Sequence, residues 1–450
     1  MRTRRNFLEL AQLATTAAFL STTAMPRFAF GQTSNGKVFI KVFMRGGADG
    51  LHLFPRVGDP FYYQYRPDIA IEGPGGGEGS ALSLEDGPGG SANMVRAMNP
   101  NLINLLPIYE AGNMLVSPAT SSSTLNQSHF DSQRWIGVGA RNNIMDGYLN
   151  RFLQETTGMD HPIRSATVGK GDVSRELQGQ YSSPTITRKS DFDIRNGDFC
   201  SGNDCAENRL LETMNSNALH PTDLNLVEGQ LKESQLLMIE TIAEVQMLQE
   251  YQPSAAAQAI NPDGYSNTQT GRGLQMITQL LRGGVPLEVA ALNWQGGSWD
   301  SHNNQININS TNPIVDQNHR FNQRMRQGAD DLAVFVADME DIGRMDDIMI
   351  LVCTEFGRTV KQNGSVGTDH ARGAAWLAIG NNVNGGMADD IATLDETTLE
   401  RRNRIPTAVD YRDMVGEILV KHMGLPENMV SDILPGHNNF NDYGFIGSMA

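Results

Sequence analysis

Carboxylates and imidazoles occur together at several points of this sequence, in short polar segments that contain glycine. Asp300 and His302 are separated by one residue, so both side chains point to the same side if that segment is extended. Asp49, Glu355 and His370 lie beside apolar segments. Imidazole nitrogens combined with carboxylate oxygens favour zinc or another borderline divalent metal, whereas oxygen ligands alone would favour calcium or magnesium. We therefore expect these residues to hold one or two divalent cations.

Each of these residues also has an ordinary structural explanation. An aspartate before a glycine, as at Asp49, is common in turns. Glu355 is harder to explain in this way, because a carboxylate at the end of a buried strand needs a partner. We expect two further residues to contact the ligands without binding the metal themselves. They are His52, shortly after Asp49, and Asp369, beside His370. The recurrence of such groups beside apolar segments favours a metal site over separate structural roles.

Short apolar segments alternate with amphipathic segments along the chain, which indicates that strands alternate with helices. The predicted strands are 38–44, 113–117, 166–169, 287–294, 348–354 and 374–379. The predicted helices are 94–110, 145–154, 222–249, 274–281, 314–342 and 410–422. This alternation predicts an α/β fold with a mostly parallel sheet sandwiched by helices. Segments 73–91 and 170–207 are rich in glycine, serine and aspartate and are expected to be insertions or loops.

The polar clusters lie at the ends of these predicted strands. They are residues 45–50, 296–302, 354–358 and 367–373, and a fifth cluster, 126–131, begins a further helix. The carboxyl ends of parallel strands form the ligand crevice of an α/β sheet, so clusters far apart in the sequence are expected to meet in one pocket. We expect one large domain, 32–450, with a helical insertion at 206–282.

The first 31 residues are predicted to be a twin-arginine export signal that is removed from the mature protein. Arg4 and Arg5 precede a mildly apolar stretch, and small residues suited to cleavage follow near residue 31. The alternative is an N-terminal membrane anchor. Export predicts a periplasmic or secreted protein, and the remaining chain has no apolar run of about 20 residues that would span a membrane.

Cysteine usage agrees with an oxidising compartment. Cys200 and Cys205 lie in a polar loop and are expected to form a disulfide, although a pair of metal thiolates is the alternative. Cys353 lies inside an apolar run and is expected to be a buried free thiol.

The chain has 35 Lys+Arg against 51 Asp+Glu, a formal net charge of −16. Such an acidic balance argues against nucleic acid as a partner.

Several of these motifs resemble those of a family of exported bacterial proteins, domain of unknown function 1501, within the alkaline phosphatase/sulfatase-like superfamily. They are RGGADGL at 45–51, SHFDSQ at 128–133, WDSHNNQ at 299–305, EFGRT at 355–359 and GTDH at 367–370. The resemblance covers essentially the whole chain and implies an alkaline phosphatase/sulfatase-like α/β fold. It does not establish an activity.

The resemblance also implies roles for individual residues. Asp49 is similar to the aspartate that ends the first strand and binds one metal, and Ser128 is similar to the nucleophile at a helix start. Asp300 and His302 resemble an Asp–His pair that binds the other metal. His370 resembles a late histidine that completes the first site.

The sequence departs from the superfamily pattern at two adjacent positions. Glu355 stands where the superfamily has aspartate, and Phe356 stands where it has the histidine that follows. The second metal would therefore lose a ligand unless His129 or His52 replaces it. The number of ions stays open at one or two.

The resemblance implies a metal-dependent hydrolase of phosphate or sulfate esters, with a small anionic ester or a glycan as substrate. Two cations about 4 Å apart would activate Ser128, which is otherwise a weak nucleophile at neutral pH. Arg358 would bind a phosphate or sulfate through two hydrogen bonds, or else form a salt bridge with an acidic ligand. The alternative function is a non-catalytic exported binding protein on the same fold, with a structural metal.

Overall fold

Within the part of the chain that the structure describes, nine strands form one sheet. The structure is a computed structural model, and it describes residues 36–84, 96–141, 143–156, 161, 163–191, 241–242, 244–294, 299–388, 392–437 and 440–447. The strands are β1 Val38–Phe43, β2 Met114–Ser121, β3 Ser165–Val168, β4 Thr185–Ile186, β5 Val289–Asn293, β6 Ile348–Cys353, β7 Ala374–Ile379, β8 Gly386–Met387 and β9 Val409–Asp410. Their order across the sheet is β4-β3-β5-β1-β6-β7-β2-β8, and β9 pairs with β2.

The sheet is mostly parallel, as the strand–helix alternation predicts. β1 pairs in parallel with both β5 and β6, whereas β7 runs antiparallel to its two neighbours, β6 and β2. All other pairings in the sheet are parallel. The reversal of β7 has a direct consequence for the site. The amino end of β7 lies at the same edge of the sheet as the carboxyl ends of β1, β5 and β6.

Helices cover both faces of the sheet. The α-helices are α1 Gly50–Leu53, α2 Pro60–Tyr65, α3 Leu106–Glu110, α4 His129–Val138, α5 Tyr148–Glu155, α6 Ala255–Ile260, α7 Gln269–Arg282, α8 Arg320–Asp341, α9 Tyr411–Glu417 and α10 Val430–Ile433. The 3-10 helices are Pro100–Leu105, Arg175–Leu177, Lys189–Asp191, Met345–Asp347 and Glu427–Met429, and a π turn, Ile418–His422, follows α9.

Alternate residues of the central strands supply two separate cores. Ile40 and Val42 of β1 pack with α7 and α8 on one face. Phe39 of β1 and Met349 of β6 pack with α5, α9 and α10 on the other. Side chains alternate between the faces of a strand, so burial on both faces explains the nearly continuous apolar character of β1 and β6. Packing in these two cores keeps the central strands rigid, and these strands end at the polar clusters.

The predicted helix 94–110 is corrected by the structure. Met98 pairs with Leu82 in a β-bridge, and α-helix begins only at Leu106, after the 3-10 helix Pro100–Leu105. Asn99 has a ψ of 134° because the residue before a proline avoids the α conformation. Predicted helix 314–342 likewise begins later, at Arg320.

Other predicted segments agree with the structure more closely. Predicted helices 145–154, 274–281 and 410–422 match α5, α7, and α9 with its π turn. The predicted strand 113–117 extends to Ser121 as β2, and the predicted loop 170–207 contains the short strand β4. Cys353 is a buried free thiol, as predicted, and burial raises its pKa to about 12.

Several predictions lie outside the described residues. These are the export signal 1–31, the Cys200–Cys205 disulfide and most of the predicted helix 222–249, of which residues 241–242 and 244–249 are described. α7 falls in the predicted insertion 206–282, and it packs against β3 and β5. Among the described helices, none is both long enough and apolar enough to cross a membrane.

Candidate metal centre

Three imidazole rings converge on one carboxylate at the edge of the sheet where β1, β5 and β6 end. The Nε2 atoms of His302 and His370 lie 3.1 Å and 3.3 Å from Asp300 Oδ1. His129 Nε2 lies 3.4 Å from Asp300 Oδ2. The Nε2 atoms of His302 and His370 are 3.0 Å apart. Three segments that are distant in the sequence thus bring four potential ligands together, and we call this group of four residues the metal centre.

The other ring nitrogen of His129 is held by a buried carboxylate. His129 Nδ1 lies 2.7 Å from Glu355 Oε1, which also accepts from Gln133 Nε2 at 2.8 Å and from the backbone N–H of Gly46 at 2.9 Å. The hydrogen bond with Glu355 raises the pKa of His129. Burial alone would raise the pKa of Glu355, but the hydrogen bonds from His129 and Gln133 hold it below its usual value. Glu355 is therefore an ionised acceptor that fixes the His129 ring.

The remaining two histidines are held in the same way. His302 Nδ1 lies 3.1 Å from Asp369 Oδ1, and His370 Nδ1 lies 2.9 Å from the backbone oxygen of Gln127. An acceptor at Nδ1 places the ring hydrogen there and leaves the Nε2 lone pair for a metal, a common arrangement around zinc. In that tautomer, each of the three Nε2 atoms near Asp300 would carry the lone pair that a metal binds.

Asp300 is kept ionised by a buried arginine. Burial would raise the pKa of Asp300, but the Arg358 guanidinium, which contacts Asp300 Oδ1, lowers it below its usual value. Arg358 also donates to the backbone oxygens of Gly46, Gly47 and Thr368. Of the two roles that the sequence left open for Arg358, the salt bridge with an acidic residue of the site is the one that the structure shows.

Two loops lie side by side at the metal centre. The first contains His302 and the second contains His370. Thr368 N donates to the backbone oxygen of Ser301 at 2.8 Å, and Gln305 N donates to that of Val366, also at 2.8 Å. Asn363 Nδ2 joins the loops by donating to the His302 backbone oxygen at 2.9 Å and to Asp369 Oδ1 at 3.1 Å. The antiparallel direction of β7 makes this arrangement feasible, because it brings the second loop to the same edge as the first.

Phe356 packs against the metal centre from inside. Its ring centroid lies 4.9 Å from that of His129 and 4.5 Å from that of His370. Gly47 has a φ of 72°, and a Cβ there would lie 2.5 Å from the Phe356 ring, so only glycine fits this position. Where the resemblance implies a histidine ligand, this chain has an apolar support for two other histidines.

Asp49 is not brought into this group, contrary to the sequence expectation. Its carboxylate accepts from Arg66 Nη1 at 2.6 Å and Nη2 at 3.0 Å, from Gln305 Nε2 at 2.8 Å and from Leu51 N at 3.1 Å. Burial would raise the pKa of Asp49, and the Arg66 charge lowers it. Both oxygens are already bound by buried donors, which makes Asp49 the cap of α1 and the counter-ion of Arg66.

The other predicted residues occupy supporting positions. Ser128 caps α4, and its Oγ accepts from Asp131 N at 3.4 Å. Glu355 and Asp369 bind histidine Nδ1 atoms, where the sequence predicted Glu355 as a ligand and Asp369 as a support. His52 is buried edge-on against Phe321, and burial lowers its pKa to about 4.

Sequence reasoning missed several residues that shape the site: Arg66, Asn363, Gln133 and the carbonyl of Gln127. Gln127 and Gln133 lie in segments that the sequence analysis singled out, but amides were given no role there, and a backbone carbonyl leaves no mark on residue type. Phe130 was also missed, although it follows His129 directly. Phe130 is 87% exposed, which is unusual for phenylalanine and gives an apolar surface directly after His129 in the chain.

The donor set fits a zinc ion. Tetrahedral bonds of about 2.0 Å place neighbouring ligand atoms about 3.3 Å apart. The three contacts from histidine Nε2 atoms to Asp300 and the contact between His302 and His370 measure 3.0 to 3.4 Å. The ligand atoms of His129, Asp300 and His370 all lie within 4.8 Å of one another. His129 Nε2 is buried and makes no hydrogen bond within the described part of the chain. A cation would satisfy that lone pair.

Comparisons with known proteins give a family and distant structural likenesses. The model of a family described as protein of unknown function (DUF1501) matches residues 36–432. No curated protein matches the sequence. A protein in the alkaline phosphatase superfamily from Vibrio parahaemolyticus is 8% identical, with 87% of this chain and 72% of that chain covered and a TM-score of 0.34.

Two further solved structures are similar at the same level. The lipoteichoic acid synthase LtaP from Listeria monocytogenes is 10% identical, with 84% of this chain and 74% of that chain covered and a TM-score of 0.34. The lipooligosaccharide phosphoethanolamine transferase A (EptA) from Neisseria meningitidis is 9% identical, with 84% of this chain and 55% of that chain covered and a TM-score of 0.28.

Proposed function

The chain belongs to the DUF1501 family, and we propose that it is an exported, zinc-dependent hydrolase of phosphate or sulfate esters. The convergence of three histidine Nε2 atoms on Asp300 carries this proposal. A cation bound by these four residues supplies positive charge that polarises an ester oxygen. Glu355, Asp369 and the Gln127 carbonyl orient the rings, so the ligands need little rearrangement on binding.

The exposure of the metal centre supports a reaction with an external substrate. The side chains of His302 and Asp300 are 42% and 28% exposed, so one side of the group faces solvent. Phe130, beside His129, adds an exposed aromatic ring on which a sugar or an apolar leaving group would pack. A structural zinc site, in contrast, is usually closed by its four protein ligands.

We assign the nucleophile to Ser128. Its hydroxyl lies at the amino end of α4, next to His129, where backbone N–H groups stabilise developing negative charge. A serine hydroxyl is a weak nucleophile at neutral pH without a base or a neighbouring cation. Ser128 directly precedes His129 in the chain, so a cation held by His129 would be the neighbour that this role requires.

The test combines metal content with turnover. Zinc is measured by mass spectrometry in purified wild-type protein and in His129→Ala and His370→Ala variants, and a panel of phosphate, sulfate and phosphonate esters is assayed. Ser128→Asn is the matched variant for the nucleophile, because asparagine keeps the helix cap and removes the hydroxyl. We expect zinc to be lost in both histidine variants, and turnover to be lost in all three. Full activity of Ser128→Asn would exclude Ser128 as the nucleophile.

A second candidate function is a non-catalytic binding protein with a structural metal. Two observations favour it: the group already offers four protein ligands, and Arg358 donates its hydrogen bonds within the protein. Stoichiometric zinc in the wild type, without turnover of any ester in the panel, would support this function over hydrolysis.

A further inference from the structure

Four arginines lie together beside the metal centre. They are Arg372, Arg401, Arg402 and Arg404. Arg372 comes two residues after His370. Arg404 Nη2 donates to Gln127 Oε1 at 3.3 Å, and the backbone oxygen of the same Gln127 binds His370 Nδ1. The cluster therefore shares a contact residue with a histidine of the metal centre.

The positive charges of this cluster are close enough to affect one another. Burial lowers the pKa of Arg404, and the charges of Arg401 and Arg372 lower it further. Glu400 offsets part of the charge through its salt bridge with Arg372, in which Nε and Oε2 are 3.1 Å apart. In a chain with a formal net charge of −16, such a local excess of arginine attracts anions to one place.

The backbone at this cluster is strained. Glu400 and Arg404 form a β-bridge, and the turn between them places Arg401 and Arg402 at φ values of 49° and 59°. Consecutive positive φ values are typical of the type I′ turn, which strongly prefers Asn–Gly. Both arginines are exposed, so packing in a core does not explain why they occupy these positions. Strain retained at such a position is characteristic of functional sites.

From these observations we propose that the turn Glu400–Arg404, together with Arg372, binds a second phosphate or sulfate group of the substrate. The guanidinium group donates two parallel hydrogen bonds that match the oxygens of either anion. The substrate is then a polyanionic ester, with one anionic group at the metal centre and another at the arginines. This inference rests on the proposed function, because it assigns the substrate class of the same site.

The test measures binding separately from turnover. Zinc-loaded full-length protein is titrated calorimetrically with sucrose octasulfate and with inositol hexasulfate, neither of which chelates zinc strongly, and methyl sulfate serves as the monoanionic comparison. The key variant is Arg401→Asn/Arg402→Gly, which installs the residues that the turn prefers. We expect a higher melting temperature and an affinity for both polyanions about tenfold lower. A higher melting temperature with unchanged affinity would overturn the proposal.

Two matched variants complete the experiment. Arg401→Lys/Arg402→Lys keeps the charge and should retain most of the affinity. Lys37→Gln/Lys421→Gln removes two positive charges near the amino end of β1, at the opposite edge of the sheet, and should leave the affinity unchanged. If Lys37→Gln/Lys421→Gln lost as much affinity as Arg401→Asn/Arg402→Gly, the net charge of the protein, not the arginine cluster, would be what attracts the anions.

Failure of this inference can be told apart from failure of the proposed function. One outcome is that the polyanions bind tightly, that binding requires Arg401 and Arg402, and that no ester is turned over. That outcome would support the anion site and exclude hydrolysis. Turnover of monoanionic esters with a kcat/KM unaltered in Arg401→Asn/Arg402→Gly, together with unaltered polyanion affinity, would support hydrolysis and exclude the anion site.

Discussion

The Nε2 atoms of His302 and His370 lie 3.0 Å apart, and the Nδ1 atom of each ring is bound to a separate acceptor. With both ring hydrogens placed at Nδ1, two lone pairs face each other at this short distance. They would repel one another in the folded protein, whereas a shared cation turns the same geometry into attraction. We therefore expect metal binding to depend on both rings.

The first prediction concerns stability and metal. Zinc at 100 times its Kd should raise the free energy of unfolding by about 2.7 kcal/mol relative to chelated protein, because only the folded state holds the complete site. Thermal unfolding with zinc and with a chelator measures this difference. His302→Ala/His370→Ala should abolish it, whereas His161→Ala, at a histidine paired with Glu244, should retain it. An equal zinc response in both variants would contradict the site.

The second prediction separates Asp49 from the metal ligands. Asp49→Asn leaves the buried Arg66 charge without its counter-ion, so we expect a loss of stability of about 3–5 kcal/mol. Zinc content should stay at the wild-type level, because the carboxylate does not contact the metal centre. Urea denaturation and mass spectrometry measure the two quantities. Loss of zinc at unchanged stability would restore Asp49 as a ligand.

Much of the scaffold was predictable from the sequence, because it depends on patterns that are local along the chain. The apolar runs that became β1, β5, β6 and β7 are recognisable from residue type alone. Their polar ends also pointed to Asp300, His302 and His370, which the structure brings together. The helix predicted at 94–110 was wrong only in its first part, because the residue before Pro100 avoids the α conformation and Met98 forms a tertiary bridge with Leu82.

The details of the site depended on partners that the sequence does not reveal. Asp49 and Glu355 are both carboxylates that come shortly after a central strand, yet one pairs with Arg66 and the other with His129. These pairings are decided by where α1, α2 and α4 lie across the sheet. The antiparallel direction of β7 was likewise not deducible from its apolar sequence, although it brings His370 to the correct edge.

The third prediction concerns the close contact between Gly47 and Phe356. Gly47→Ala places a Cβ against the Phe356 ring at a φ of 72°, whereas Gly343→Ala has a similar φ of 64° and open space. Backbone strain alone costs about 1 kcal/mol at such a position, so Gly343→Ala should lose about that much. Gly47→Ala should lose about 2–4 kcal/mol, because overpacking adds to the strain.

Zinc affinity provides a second readout for this pair of variants. Phe356 packs on His129 and His370, so its displacement in Gly47→Ala should weaken zinc binding, while Gly343→Ala should bind zinc as the wild type does. The combination Gly47→Ala/Phe356→Leu should recover part of the stability by making room for the new methyl group. Equal losses of stability in the two alanine variants would show that the ring contact is unimportant.

The last prediction is a dependence of stability on pH that arises far from the metal centre. His422, in the turn after α9, is buried and contacts the backbone oxygen of Val38 at the start of β1 through Nε2, at 3.2 Å. Burial lowers its pKa to about 4, from a usual value of 6.5. Below pH 6.5 the unfolded chain therefore takes up a proton at this histidine that the folded protein does not. The contribution of neutral His422 to the free energy of unfolding is complete above pH 6.5 and is lost as the pH falls towards 4. The total loss is about 3 kcal/mol.

His422→Gln keeps a hydrogen-bond donor for Val38 and removes the titrating group. Urea denaturation at pH 7 and pH 4.5 should show a smaller fall in the free energy of unfolding for the variant than for the wild type. Part of the fall should persist, because His52 is also buried with a pKa lowered to about 4. The comparison at pH 7 measures the packing cost of the substitution by itself. If both proteins lost the same stability between the two pH values, His422 would have to be protonated in the folded state, and its burial against β1 would be incorrect.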